Sequence, residues 1–236
     1  PGYVRCTGVP SIGQQIAPKR RGGWSCSATS EISSRVRSTS MLHNPDHSSR
    51  GLSESQQAEV NAEWVADDDG ILHRHAARVI LLDHYGRALL VKGHDVGDRN
   101  HQWWFTVGGG LGAQETPAQG ACRELFEETG LVLPPDRLAG PVIKRRAVFN
   151  FALETRRQDE LFFFATVNRA ERDLVGQSQH LTALEQEVLD EFRWWAPADI
   201  LRAEAAGATF YPRTIAGLIQ RLHAGWDGSC IELHEE

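Results

Sequence analysis

Gly109-Gly-Leu-Gly-Ala-Gln-Glu115-Thr-Pro-Ala-Gln-Gly-Ala-Cys-Arg123-Glu124-Leu-Phe-Glu127-Glu128-Thr-Gly130-Leu131 is the stretch of this 236-residue chain on which the reading of the rest turns. Thr116 is placed to cap a helix, with Pro117 at its first position and Gln119 reaching back to complete a capping box. Gly130 then supplies the left-handed residue that closes such a helix. At about 100° per residue, Glu124, Glu127 and Glu128 fall within an arc of roughly 100°, while Ala118, Ala121, Cys122, Leu125 and Phe126 fill the opposite side. The spacing predicts a short helix with one packed face and one anionic face, behind a loop rich in glycine.

Three ionised carboxylates gathered in a partly desolvated place oppose one another's ionisation. A hard divalent cation removes that cost, and all-oxygen ligands suit Mg²⁺, with Mn²⁺ as a substitute, rather than zinc. Such a cation can bridge the oxygens of a diphosphate and turn a bound water into a nucleophile near neutral pH, so the reaction class is hydrolysis of a phosphoanhydride. A lone Glu-Glu pair on a helix is more often a solvated face. The complete pattern separates this stretch from that reading: its seven fixed and two apolar positions would coincide by chance with a probability on the order of 10⁻⁷.

Read as G-x5-E-x7-R-E-U-x-E-E-x-G-U, with U apolar, the stretch resembles the Nudix box with every specified position filled. The resemblance implies an α/β fold, an α/β/α sandwich around a mixed β-sheet, and a pyrophosphohydrolase of the MutT-like kind. Its substrate would be a nucleoside diphosphate joined to another group. It also implies Glu124 and Glu128 as first-choice metal ligands, with Glu127 as a third ligand or the base. Glu115 and Arg123 would orient these groups, Arg123 through a bidentate pair that fixes the loop against the helix. The catalytic set is thus Arg123, Glu124 and Glu127. Gly108, Gly109 and Gly110 lie in the preceding loop, where missing side chains let backbone approach phosphate or metal. Where the family usually has proline before its paired glycines, this chain has Val107, a departure that bears on loop stiffness.

The surrounding sequence fits such a domain over residues 71–225. Arg78 to Asp83 and Arg87 to Lys92 are apolar runs joined by His84-Tyr85-Gly86 and read as a hairpin. Trp103 to Val107 leads into the glycines, Glu160 to Val167 reads as a buried central strand, and Phe192 to Trp195 adds another. Pro197 to Ala206 and Thr214 to His223 have helical patterns. Strands and helices interleave, as an α/β/α layering requires.

Residues 1–60 differ in kind. Residues 1–50 carry seven Lys or Arg against two acids, a net +5 in a chain of −6, which leaves the remainder at −11. Rich in Ser, Gly and Arg and without apolar periodicity, the segment reads as disordered or as a non-native extension. The only methionine is Met41. An upstream leader before a native start at Met41, a disordered tail and an Arg- and Ser-rich transit peptide all stay open. No apolar run has the length of a membrane span. Cys6, Cys26, Cys122 and Cys230 lack the paired spacing of a zinc site or a disulfide framework, consistent with a reducing, cytoplasmic setting. Cys122 is expected on the packed face of the helix.

Substrate contacts are expected from Gly108, Gly109, Arg99 and Trp103. Arg99 belongs to the loop His94 to His101 and could meet a phosphate, and Trp103 a base or ring. Core packing on alternate strand faces is the competing reading for Trp103 and Trp104. Lys144, Arg145 and Arg146 read as a solvated strand edge. An acid outside the box often completes the metal site in the family; Glu160, Glu185, Glu187 and Glu191 are available, and Glu187 is favoured. Markers of ADP-ribose, NADH, coenzyme A and diadenosine-polyphosphate subfamilies are missing, so the expected partner is a small nucleotide-like molecule, with no stable nucleic acid and no membrane. Homodimers are common in the family, and a homodimer stays open here. A non-catalytic or regulatory nucleotide-binding role is the alternative; an isomerase would need a catalytic cysteine and extra histidines in set places, which the sequence does not offer.

Overall fold

The computed structural model describes residues 64–177, 180–181 and 183–236, so the expectations for residues 1–60, including Met41, Cys6 and Cys26, lie outside the described residues. In chain order the elements are β1 (Val65–Ala66), β2 (Leu72–Asp83), β3 (Ala88–Asp95), β4 (Asp98–Gly110), α1 (Pro117–Thr129), β5 (Ala139–Asn150), β6 (Thr155–Val167), α2 (Arg169–Leu174), α3 (Ala183–Val188), β7 (Leu189–Trp195), α4 (Pro197–Ala205), α5 (Ile215–Ala224) and β8 (Ile231–Glu235). The strands form one mixed sheet in the order β7-β3-β4-β2-β6-β5-β8, with β1 added on β2. β2 runs parallel to β6 and β5 parallel to β8; the other neighbours are antiparallel. The sheet takes in β1 and β8, on either side of the 71–225 span expected of the domain.

Alternation along β2 divides the core. Ala77, Val79 and Leu81 point to one face, where they pack with Val107 of β4 and with Ala121 and Leu125 of α1. Ile80 and Leu82 point to the other, where they meet Trp104, Phe162 and the α4 and α5 residues Ile200, Ile215, Ile219 and Leu222. A period of two along a strand buried on both faces yields the α/β/α layering expected from the sequence.

Two expectations change. The turn after Asp83 forms, with Gly86 at φ 70° and its N–H donating to the Asp83 carbonyl at 2.9 Å. The hairpin ladder does not continue, because β2 and β3 share only the Leu82–Ala88 pair before β4 enters between them. Gly108, Gly109 and Gly110 are also strand rather than loop, and pair with Arg78, Ala77 and Ala76 of β2.

Candidate functional site

The helix that carries the acids is built as its local sequence dictates. The Thr116 hydroxyl accepts from the Gln119 N–H at 3.3 Å, the Gln119 side chain accepts from the Thr116 N–H at 2.9 Å, and Pro117 opens the first turn. Gly130 at φ 75° ends it and donates its N–H to the Phe126 carbonyl at 2.7 Å.

The expected split into a packed face and an anionic face does not hold. Buried positions on α1 include Ala121, Glu124, Leu125 and Glu128, the i, i+3, i+4, i+7 set that meets a sheet, so two of the acids lie inside. Phe126 is exposed and stacks on His180 at 4.8 Å, and Cys122 is half-buried with its thiol pKa pushed up by burial. The missing side chain of Gly109 makes room for Glu124. A Cβ on Gly109 would stand 2.7 Å from the Glu124 carboxyl carbon. The Gly108 N–H donates to Glu128 Oε2 at 2.9 Å.

Arg123 joins loop to helix. Its Nε and Nη2 donate to the two oxygens of Glu115 at 3.1 and 2.7 Å, and Nη2 also reaches the Gly110 carbonyl at 2.8 Å. Its Nη1 donates to Glu124 Oε1 at 2.8 Å and to Glu127 Oε2 at 2.9 Å. Hydrogen bonds from Arg123 hold the Glu115 carboxyl below its usual range. Burial raises Glu124 to about 7, with Glu185 and Glu127 adding to the rise against the pull of Arg123. Burial, then Glu124 and Glu185, push Glu128 well above its ordinary value despite the Gly108 N–H and Arg78. The fold thus gathers acids here in surroundings that disfavour their ionised forms.

Glu124, Glu128 and Glu127 are the box residues that could hold a cation, and this all-carboxylate donor set suits a hard divalent ion. Among the described residues no three His, Cys, Asp or Glu side chains already close on one metal position. Of the acids outside the box, Glu185 on α3 is near enough for its charge to raise the pKa of both Glu124 and Glu128. Glu160 is withdrawn from this role, since it is buried in β6 between Arg78 and Arg145.

Arg99 and Trp103 lie away from the glycines rather than beside them. Trp103 is six positions before Gly109 in β4, about 20 Å along an extended strand. There it is half-buried, 5.0 Å from the His101 ring and 5.9 Å from Phe151, in a 220 Å³ cleft also lined by Arg145, Phe149 and Tyr211. Arg99 is exposed near the β3–β4 turn. Trp104, on the opposite face, is core against Trp195 and Phe210. Lys144 and Arg146 are exposed as expected of a solvated edge, but Arg145, at the alternate position of β5, is 3% exposed against Glu160 and Glu235. The sequence reading passed over Arg78 as a site residue; a cation opening the apolar run Val-Ile-Leu-Leu, with Glu160 opening Leu-Phe-Phe-Phe, was the available signal.

The NUDIX domain family model matches residues 72–215. No curated protein matches this chain at a significant level. Among solved structures, a MutT NUDIX hydrolase from Burkholderia pseudomallei is 20% identical with TM-score 0.38, covering 54% of this chain and 85% of that one. A C. elegans Ap4A hydrolase binary complex is 16% identical with TM-score 0.42, covering 64% and 96%. A MutT protein from Methanosarcina mazei Go1 is 20% identical with TM-score 0.43, covering 64% and 94%. No helix among the described residues is long and apolar enough to cross a membrane.

Proposed function

The chain belongs to the NUDIX domain family of pyrophosphohydrolases, and from that premise we propose that it hydrolyses the phosphoanhydride of a nucleoside diphosphate linked to another group, using Mg²⁺ or Mn²⁺ held by Glu124, Glu127 and Glu128. The observation that carries this reading is the pair Glu124 and Glu128, 5% and 3% exposed on one face of α1 behind Gly108 and Gly109, with burial raising the pKa of both. A carboxylate pair kept in that state costs stability unless a ligand repays it.

When bound, the cation supplies charge neutralisation on the diphosphate and a more acidic water. The chain supplies the rest. Arg123 keeps Glu124 and Glu127 in register with the Gly110 end of β4. Glu127, half-buried at the mouth of the site, takes the proton of the attacking water. As the new P–O bond forms, the bridging P–O bond breaks, and two phosphorylated products leave. Gly109 makes room for the Glu124 carboxyl beside the diphosphate, and Trp103 with Phe149 and Phe151, about 20 Å along β4, stacks a base at the far end of an extended substrate, with Arg99 beyond the reach of the scissile phosphates. A small nucleotide-like substrate, no nucleic acid or membrane partner, and a reducing cytoplasmic setting belong to the same proposal.

Release of phosphate or nucleoside monophosphate from nucleoside triphosphates, oxidised nucleotides, ADP-ribose, NADH and dinucleoside polyphosphates, with Mg²⁺ and with EDTA, tests it. Metal-dependent turnover of one class is expected; binding without turnover of any would favour a regulatory role. For the substrate so found, Trp103→Ala is expected to raise KM about 10- to 100-fold and spare kcat, the worth of one stacked base. An unchanged KM removes Trp103 from the base site.

A further inference from the structure

Gly108 is gripped through both of its backbone polar groups, which belong to the two peptides that flank its Cα. Its N–H donates to Glu128 Oε2 at 2.9 Å, and its carbonyl accepts from Arg78 Nη1 at 2.9 Å. The same guanidinium nitrogen reaches the Thr106 carbonyl at 3.0 Å, two residues earlier on β4. Gly108 has φ 131°, and a Cβ there would collide with the Ala77 carbonyl, so no side chain can pack this residue into place. Arg78 is itself immobilised. Only 7% exposed, it donates Nε to Glu160 Oε1 at 2.5 Å. Glu160 is bound in turn by Arg145 and Gln158, and Arg145 Nη1 donates to Glu235 on β8 at 2.7 Å. Hydrogen bonds between named atoms therefore run from the edge strand to the acid on α1. One planar guanidinium serves two carbonyls and a carboxylate in fixed geometry, which the rotating ammonium of lysine does not reproduce.

We propose that Arg78 is a positioning residue which, through the Gly108 backbone, sets the orientation in which the Glu128 carboxylate receives the divalent cation. This role rests on the reading of Glu128 as a metal ligand given above. A purely structural role for Arg78, neutralising Glu160, would be shared equally by Arg145, which binds the same carboxylate but donates nothing to Gly108.

Calorimetric titration of Mg²⁺ alone into metal-free protein separates these roles, with melting temperatures taken on the same samples for wild type, Arg78→Lys, Arg145→Lys and Glu128→Gln. R78K, which keeps a cation against Glu160, carries the test because Arg78→Met leaves that acid half-paired and can unfold the sheet. R78K is expected to bind Mg²⁺ about 10- to 100-fold more weakly than wild type, as loss of a ligand-orienting contact does. Its kcat should fall at unchanged KM, and R145K should keep the wild-type affinity. Wild-type affinity in R78K, or an equal loss in R145K, overturns the role of Arg78 while leaving Glu128 as a ligand. Failure of Mg²⁺ to bind wild type, or full binding by E128Q, overturns the ligand reading and this role with it. A second readout needs no variant: Mg²⁺ is expected to shift both the Gly108 amide and the Arg78 Nε–H resonances of wild type, and a shift of Gly108 without Arg78 overturns the coupling.

Discussion

Glu124→Gln is expected to lower turnover by about three orders of magnitude, the several kcal/mol of transition-state stabilisation that a misplaced cation forfeits, while making the metal-free protein more stable. The second effect follows from burial. Glu124 titrates at about 7 in the fold against an ordinary 4.5, chiefly because its charged form is desolvated. As pH rises from 4.5, the unfolded chain releases this proton before the folded one does, so stability is fully present below 4.5 and is lost as pH rises through 7. Above that, the ionised carboxylate costs on the order of 3 kcal/mol. Glutamine keeps an acceptor for Arg123 Nη1 and carries no charge. Metal-free E124Q should therefore melt several degrees above wild type at pH 8 and level with it at pH 4.5. Mg²⁺ should raise the melting point of wild type and leave that of the variant nearly unmoved. Calorimetric melting curves at the two pH values, with and without Mg²⁺, read all of this. A variant that keeps its activity, or one less stable at pH 8, would remove Glu124 from the metal site.

What could be read locally was read well. The limits of α1 are set by Thr116, Pro117 and Gly130 within its own first and last turns, and these act wherever the helix sits. The direction its acids face was not local. Glu124 lies inside because Gly109 leaves space for it, and Glu128 because it accepts from the Gly108 N–H, on a strand brought there by tertiary pairing with Ala77 and Arg78. The same pairing explains why the turn at Gly86 was legible and the ladder beyond it was not, since β4 competes for the edge of β2. Arg145 resembled an exposed cation because Lys144 and Arg146 flank it, whereas the alternate face of β5 sets it against Glu160 of β6 and Glu235 of β8. Among the acids from Glu185 to Glu191 the sequence favours Glu187, and the charge felt by Glu124 and Glu128 includes that of Glu185.

Glu160→Ala is expected to be the most destabilising single change in the domain. Glu160 is fully buried, and its two oxygens accept from Arg78 Nε and Arg145 Nε, whose side chains are 8% and 2% exposed. Removing the carboxylate takes from Arg78 its buried counter-charge and from Arg145 one of two, and leaves both Nε–H groups unsatisfied, a loss of about 3–5 kcal/mol. In a domain of this size that lowers the melting temperature by about 10 °C. Glu160→Gln, which retains an acceptor, should lose less. The pH dependence has the opposite sign to that of Glu124. Arg78 and Arg145 overcome the cost of burial and hold Glu160 at about 2, against an ordinary 4.5. Its contribution is therefore complete above 4.5 and is lost as pH falls through 2. Metal-free wild type, with Glu124 and Glu128 working against it on the alkaline side and Glu160 on the acid side, should be most stable near pH 5. Mg²⁺ should flatten the alkaline limb alone, and E160A the acid limb alone. Melting temperatures from pH 2 to 8 resolve the two limbs, and an acid limb unchanged in E160A would show that other carboxylates govern acid unfolding.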